Sequence, residues 1–230
     1  MLIVLHRKRI MAVLAVLILL QLIIGVILCV NTFGKKDVSL IDFTVVIDAG
    51  HGGIDGGVVA SNGVKESDLN LQYSKELGNL FTQGGFNVVY TRTNADGLYG
   101  LPNAGFKQRD MKKRKEIIER ARPNLVISVH MNKFSRSTRS GPQVFYQEGY
   151  EQGQMLAESL QRVFNDFTGN RHEEISGDFY ICRESPCTAV IVECGFLSND
   201  ADSAQLQTEE YRKLICQKIF EGVMLYLYSA

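Results

Sequence analysis

The sequence predicts an α/β protein with a mostly parallel central sheet of about six strands and helices on both faces, preceded by one N-terminal transmembrane helix. Short, nearly continuous apolar runs alternate with longer segments of helical periodicity, and this alternation is typical of a sheet covered by helices on both sides. Residues 10–30 contain no charged side chain, which predicts the membrane helix.

The composition is that of an ordinary globular protein. The chain has 230 residues, of which 45% are hydrophobic and 22% are charged, and this length suits one domain with an appendage. It has 25 basic and 25 acidic residues, and the basic residues Arg7, Lys8 and Arg9 precede the apolar run. The rest of the chain is therefore slightly acidic, which argues against nucleic acid as a partner.

The apolar run at residues 10–30 is interpreted as a transmembrane anchor. About 20 apolar residues in a helix cross the hydrocarbon layer, and the only polar side chain in this run is Gln21. A cleaved signal peptide is the main alternative, but its apolar core is usually shorter, roughly 7–15 residues, and ends at small residues. A lipoprotein signal is rejected because Leu28 precedes Cys29, where such a signal needs a small residue.

The basic residues before this run indicate its orientation, since Lys and Arg prefer the cytoplasmic side of a membrane. Residues 1–9 are therefore predicted to be cytoplasmic, and Lys35 and Lys36 beyond the run oppose this orientation only weakly. A linker, residues 31–42, and a folded domain, residues 43–230, are then predicted to lie outside the cytoplasm.

The first half of the domain alternates strand and helix. The run "FTVVID" (43–48) is apolar and rich in β-branched residues, as in a buried strand. Residues 67–85 predict a helix because apolar residues recur at three-to-four spacing and a glycine can end it. The run "FNVVYT" (86–91) predicts the second strand, and the glycines and proline of residues 94–106 predict a polar loop.

The middle of the domain continues this alternation. Residues 107–121 predict a charged helix with a thin apolar face, and their basic run is interpreted as a solvated surface. The run "LVISVH" (125–130) predicts the third strand, and "GPQVFYQ" (141–147) predicts the fourth.

The last third of the domain supplies one more strand between two helices. Residues 151–167 and 208–228 have helical periodicity, and "TAVIVECGF" (188–196) is an apolar run typical of a strand. The five cysteines show no metal-binding spacing, and a disulfide between Cys182 and Cys187 is open but not favoured, because spacing alone does not determine pairing.

Chemically active side chains stand at the carboxyl ends of three predicted strands. His51 follows the first strand, His130 ends the third, and Glu193 lies in the last apolar run. Sheets of this class bind ligands beyond the carboxyl ends of their strands, so these side chains are predicted to meet at one edge. An ionised carboxylate within "VIVECGF" is also costly unless something pairs with it.

Imidazole and carboxylate groups are the usual protein ligands of a catalytic zinc ion, which keeps a fourth position open. His51 and His130 supply two imidazoles, and Glu66, which opens the first helix, is the best-placed third ligand. Asp48 and Asp55 are rivals for that role, and Asp48 is also a candidate to hold a ring nitrogen of His51. Glycines beside His51 would let a metal and a bulky substrate approach the backbone closely.

Each of these residues also has a purely structural interpretation. A histidine at a strand end is often only hydrogen-bonded, Glu66 could be a first-turn helix charge, and Glu193 could be a buried acid paired with Arg92. Motifs of other chemistries fail: the stretch 50–57 lacks the third glycine of G-x-G-x-x-G, no P-loop follows it, and neither G-x-S-x-G nor H-E-x-x-H occurs.

Five sequence blocks, taken together and in order, resemble one known family. The blocks are "VVIDAGHGGIDGG", "KES", "VVYTR", "LVISVHMN" and "VIVECGFLSN". They resemble the zinc-dependent N-acetylmuramoyl-L-alanine amidases of bacterial cell walls and span residues 44–200. The segment "KQRDMKKR" and the compact design, one membrane span and one domain without wall-binding repeats, are similar to the amidase that spore-forming bacteria use on cortex peptidoglycan.

This resemblance implies that residues 43–230 are a catalytic domain holding one Zn²⁺ ion. By position in the blocks, it implies that His51, Glu66 and His130 are the zinc ligands and that Glu193 is the catalytic acid/base. The implied reaction is hydrolysis of the amide that joins the lactyl group of muramic acid to L-alanine.

Other positions are assigned less directly. Asp48, Arg92 and Asn132 are candidate supports of the site. Met131 stands where the family commonly has a small residue, and Cys194 where it often has another small or β-branched one. Neither coincides with a functional position, although Met131 could affect substrate fit.

The implied partners are peptidoglycan as substrate and the membrane through the N-terminal helix, and the need for an activating protein partner stays open. The implied location is the outer side of the membrane, in the cell wall or the forespore intermembrane space. Two rival functions remain open: a non-catalytic, membrane-tethered wall-binding or regulatory module, and a zinc peptidase that cuts within stem peptides. Fold alone does not separate them, because chemistry is set by the site.

Overall fold

A six-stranded sheet forms the centre of the computed structural model, which describes Gln21, residues 42–135 and residues 138–229. The strands and helices belong to one unit, residues 39–230. The described strands are β1 (Thr44–Ala49), β2 (Asn87–Tyr90), β3 (Leu125–Asn132), β4 (Gln143–Gln147), β5 (Ile175–Gly177) and β6 (Thr188–Phe196). The described helices are α1 (Glu66–Gln83), α2 (Phe106–Ala121), α3 (Glu151–Thr168), α4 (Tyr180–Arg183), α5 (Asp200–Leu206) and α6 (Glu209–Ser229).

The strand order is β2–β1–β3–β6–β4–β5. The pairs β1/β2, β1/β3, β3/β6 and β4/β5 are parallel, and β4 runs antiparallel to β6. The predicted α/β class and mostly parallel sheet are thereby confirmed. The central strands β1 and β3 are almost fully buried, which explains why each is a nearly continuous apolar run.

Helices cover both faces of the sheet, as predicted. On one face, side chains of α1, α3 and α6 pack against alternate residues of the strands, such as Val45 and Ile47 of β1. On the other face, α2 and α4 pack against the intervening residues, such as Val46 and Val126. A buried apolar side chain of this size contributes roughly 1.5–3 kcal/mol to stability, so both layers fix the sheet.

All five predicted strands and all four predicted helices are present, with ends shifted by a few residues. Sequence periodicity did not locate β5, α4 or α5, because elements of three to seven residues are too short to show a period. Helix α5 instead depends on a local signal: the side chain of Asn199 accepts hydrogen bonds from the backbone of Ala201 and Asp202.

The structure does not test the predicted membrane anchor, but it does test the possible disulfide between Cys182 and Cys187. The predicted anchor, residues 10–30, lies outside the described residues except for Gln21, and no helix in the described part of the chain is long and apolar enough to cross a membrane. The anchor and the boundaries at residues 1–9 and 31–42 therefore stay predictions. Cys182 and Cys187 are both free thiols.

Candidate metal and catalytic site

The four side chains singled out by their chemistry lie at the carboxyl edge of the three central strands. His51 follows β1, and His130 of β3 pairs in register with Glu193 of β6. Glu66 is the first residue of α1 and is almost fully buried. Because β1, β3 and β6 are parallel neighbours, their carboxyl ends bring together residues that are far apart in the sequence.

One carboxylate oxygen of Glu66 contacts both imidazoles. Its Oε1 lies 3.2 Å from Nε2 of His51 and 2.9 Å from Nδ1 of His130. The potential ligand atoms of these three residues all lie within 4.8 Å of one another. The structure therefore brings Glu66, rather than its rivals Asp48 and Asp55, together with both imidazoles.

Glycines allow this close approach. Gly50 lies directly under the ring of His130, where a Cβ atom would overlap the imidazole. Gly57 has a φ of 65°, and a Cβ there would collide with the Glu66 carboxylate and the His51 ring. Both positions require a residue without a side chain, one for space and the other also for its backbone conformation.

Asp55 holds the second ring nitrogen of His51. Its Oδ2 lies 3.1 Å from Nδ1 of His51, the kind of contact that orients a metal-binding imidazole. The sequence had suggested Asp48 for this role, but Asp48 instead accepts hydrogen bonds from Thr91, Ser128 and the guanidinium of a buried arginine described below.

The electrostatics of the three converging residues suit a cation. Burial opposes ionisation of Glu66, but its hydrogen bonds with His130 and His51 outweigh this and hold the pKa of the carboxyl group far below its usual range. Burial also opposes protonation of His51, but contacts with Glu66 and Asp55 raise the pKa of that imidazole. The site thus keeps Glu66 ionised between the two imidazoles, and an ionised carboxylate there attracts a cation.

The donor set fits a divalent metal that binds nitrogen and carboxylate ligands. The backbone N–H of Val58 donates to Oε2 of Glu66, and the amide of Asn70 donates to Oε1. These bonds fix the carboxylate, and both imidazole nitrogens contact its Oε1 atom. His51, Glu66 and His130 therefore form a candidate three-ligand metal site.

Glu193 stands beside these ligands with an unpaired carboxylate oxygen. Its Oε2 atom is buried and has no hydrogen-bond partner. The guanidinium of Arg92 binds backbone carbonyls instead, so the structural interpretation of an ion pair between the two does not hold. Burial raises the pKa of Glu193 to about 7, with the nearby His130 opposing and Glu66 adding to the rise. A carboxyl group with a pKa near neutrality is suited to accept and return a proton.

The sequence pattern of the N-acetylmuramoyl-L-alanine amidase family matches residues 45–224, which is most of the chain. The chain belongs to this family. It is therefore a hydrolase of the amidase class, as the sequence blocks had implied.

This amidase is similar to one solved structure and to two further amidases by sequence. The structure of the CwlD amidase from Clostridioides difficile, determined in complex with the GerS lipoprotein, is 32% identical, with a TM-score of 0.77, over 82% of this chain and 100% of that chain. The germination-specific N-acetylmuramoyl-L-alanine amidase of Bacillus subtilis is 27% identical over 79% of this chain and 78% of the relative. The amidase LytC of the same species is 28% identical, and the match covers 80% of this chain and 35% of the relative.

Two of the predicted supports of the amidase site occupy defined positions. Arg92 is buried and donates hydrogen bonds to the backbone carbonyls of Ala49 and Gly50, which immediately precede His51. Asn132 ends β3, and its side chain accepts a hydrogen bond from the backbone of Lys133. Arg92 thus contacts the loop that carries the candidate ligand His51, whereas Asn132 contacts the backbone just beyond His130.

Sequence reasoning missed Arg114 of α2. This residue lies in the basic run interpreted as a solvated surface, yet it is only 1% exposed. Its guanidinium binds Asp48 and Asp110, each at 2.6 Å, and the backbone carbonyl of His51. Asp110, Arg114 and Ile118 are spaced four residues apart and form the buried stripe of α2, but two of the three are charged, so the stripe does not show as an apolar period.

A cleft of about 340 Å³ extends from the two imidazoles between α2 and residues 178–181, where α4 begins. Apolar side chains, including Met111, Ile181 and Ile191, line it together with the polar groups of the site. Concave sites of this kind hold small molecules, so this amidase has space for part of a substrate directly beside the candidate ligands.

Proposed function

We propose that this amidase holds one zinc ion with His51, Glu66 and His130 and hydrolyses the amide between the lactyl group of muramic acid and L-alanine in peptidoglycan. The observation that carries the proposal is the convergence of three ligand atoms within 4.8 Å beside the unpaired carboxylate of Glu193. When bound, zinc polarises a carbonyl group and lowers the pKa of water to about 7.

Glu193 supplies the proton transfers of this reaction. Amide hydrolysis needs a base to take a proton from the attacking water and an acid to give a proton to the departing nitrogen. Oε2 of Glu193 is buried and free of hydrogen bonds, so this carboxyl group can serve first as base and then as acid. The leaving amine of L-alanine then departs neutral.

Neighbouring residues hold two of the proposed ligands in place. Glu66 is anchored by Val58 and Asn70, and Asp55 orients the ring of His51. The carboxylate and the rings therefore keep their positions when substrate enters the adjoining cleft, which lowers the cost of organising the site during the reaction.

We also infer an extracytoplasmic role in spore-cortex maturation, in which removal of the stem peptide precedes muramic-lactam formation. The support is the likeness to CwlD and to a germination-specific amidase, together with the predicted anchor at residues 10–30. Because CwlD was determined in complex with a lipoprotein, we infer that this chain has an activating protein partner at the same membrane surface.

The deciding experiment is mass spectrometry of purified peptidoglycan digested by the full-length protein, with and without added zinc. New lactyl carboxyl groups and free N-terminal alanine, both dependent on zinc, are the expected products. Cuts between amino acids would instead identify a zinc peptidase. A digest that stays unchanged even in the presence of the inferred protein partner would identify a non-catalytic wall-binding module. The Glu193→Gln variant serves as the inactive control.

A further inference from the structure

The backbone of His51 is in an unusual conformation. Its φ is 59°, in the left-handed region, which costs a residue with a side chain about 1–2 kcal/mol. A conformation of this kind persists only when surrounding contacts determine it. The contacts that hold His51 therefore decide where its imidazole points.

Two buried arginines, Arg92 in the loop after β2 and Arg114 on α2, bind the three carbonyl groups of residues 49–51. The carbonyl of Ala49 accepts from both, at 2.9 Å from Nε of Arg92 and 2.6 Å from Nη1 of Arg114. The carbonyl of Gly50 accepts from Nη2 of Arg92 at 3.0 Å, and that of His51 accepts from Nη2 of Arg114 at 2.5 Å. Three consecutive peptide groups are thus fixed by two rigid guanidinium forks.

Each guanidinium group also binds residues outside the turn. Arg114 also binds the carboxylates of Asp48 and Asp110, which neutralise its buried charge. Arg92 donates further to the carbonyls of Ser67 and Asn94, which join it to the start of α1 and to the following loop. Arg92 therefore links the His51 turn to α1, and Arg114 links the same turn to α2.

We infer that Arg92 and Arg114 are positioning residues that hold the left-handed turn at His51 and so aim Nε2 of His51 at the point shared with Glu66 and His130. This inference rests on the proposed metal site. Neither arginine donates to the ligand atoms of that site; both act through the backbone of the residue that carries the ligand. Removing the carbonyl contacts lets His51 relax toward an ordinary conformation, which moves its ring away from Glu66.

The test compares the zinc affinity of full-length R92K, R114K and R109K variants, measured by competition with a chromogenic chelator. Lysine keeps the charge but cannot span two carbonyl groups in a fixed fork. We expect the zinc dissociation constant to rise about 10–100-fold in R92K and R114K, the range found when groups that orient metal ligands are lost. Thermal unfolding of each zinc-free variant is measured first, so that zinc affinity is determined at a temperature at which the variant is folded.

Arg109 is the matched control. It lies on α2 as Arg114 does, and it also binds several backbone carbonyls, those of Tyr99, Leu101 and Ala104, but none at residues 49–51. R109K should keep the zinc affinity of the wild type within about twofold, a margin far below the 10-fold effect expected above.

The outcomes are distinct. A folded R92K or R114K variant with wild-type zinc affinity would overturn the positioning role of that arginine, even if its thermal stability had fallen. Where R114K does not fold, R92K decides the inference, since Arg92 donates to two of the three carbonyls and its replacement leaves the Asp48 and Asp110 ion pairs in place. If the wild-type protein itself binds no zinc, the proposed function fails instead.

Discussion

The two faces of the central sheet are built from the same strands but carry different side chains at their carboxyl ends. On the face covered by α1, α3 and α6, residues such as Val129 and Val192 are apolar and fully buried. On the face covered by α2 and α4, the neighbouring positions are Ser128, His130 and Glu193. Because side chains alternate along a strand, one segment serves both a packed core and a chemical site.

The difference teaches that stability and chemistry are separable in this fold. The apolar face derives its free energy from burial, so truncating it should lower stability without touching the ligands. The polar face buries charged groups, and breaking a buried pair such as that of Asp48 with Arg114 is strongly destabilising. Changes there should alter metal binding or turnover more than changes in the apolar core do. The following variants test this separation.

The largest effect is expected from His130→Ala. It removes one of the three candidate ligands, and a catalytic zinc site has three protein ligands. We expect bound zinc, measured by elemental analysis, to fall from one ion per chain to a background level and amidase activity to disappear. Unchanged zinc stoichiometry would contradict the assignment of His130, and His51→Ala provides the second, independent case.

Glu193→Gln should separate turnover from metal binding. The amide keeps the shape of the side chain but cannot take up and return a proton, so kcat should fall about 10²–10⁴-fold. Zinc content should stay at the wild-type level, because Glu193 is not one of the three converging ligands. Substantial muropeptide hydrolysis by this variant would remove the acid/base role.

Phe164→Ala should act on the opposite face. Phe164 of α3 is fully buried in the larger apolar cluster, and loss of such a side chain costs about 3–5 kcal/mol of stability. Urea denaturation measures this change, and zinc affinity below the transition should match that of the wild type. Tyr228→Ala is the control: Tyr228 is 66% exposed, so its truncation should change stability by less than about 0.5 kcal/mol. A weaker zinc affinity in folded Phe164→Ala would show that the two faces are coupled.

The parts of this molecule that the sequence could predict are those that depend on local periodicity. The apolar run 43–48 specified a buried strand, and the histidines and glutamate at the strand ends specified the edge where they meet. The contact between Asp55 and His51 was not predictable in this way, because it requires the left-handed turn at His51. A turn of this kind depends on tertiary contacts that no short sequence pattern encodes.

Arg114 shows the same limit for charged residues. A basic run on a helix is usually solvated, and only the packing of α2 against β1 turns one member of the run toward Asp48. Spacing also suggested Asp48 as the partner of His51. In the structure, however, the Asp48 side chain points between the strands and α2, where Thr91, Ser128 and Arg114 surround it.

The smallest effect concerns the pH dependence of stability that Asp48 confers. Burial opposes ionisation of this carboxyl group, but Arg114, Ser128 and Thr91 outweigh it and lower the pKa from 3.8 to about 2. Since the folded-state pKa lies below the unfolded value, the stabilisation is fully present above about pH 5 and is lost as the pH falls toward 2. The loss amounts to about 1 kcal/mol between pH 5 and pH 3 and about 2 kcal/mol by pH 2.

Urea denaturation of wild type and Asp48→Asn at pH 5, 4 and 3 isolates this contribution. The variant is less stable at pH 5, because it leaves the buried Arg114 without one of its two carboxylate partners. Its stability should then fall less steeply with acid than that of the wild type, since the asparagine side chain does not titrate, and the two curves should approach each other as the pH decreases. Parallel curves would mean that Asp48 has the same proton affinity in the folded and unfolded chain, and its contact with Arg114 would then contribute nothing to the acid sensitivity of the protein.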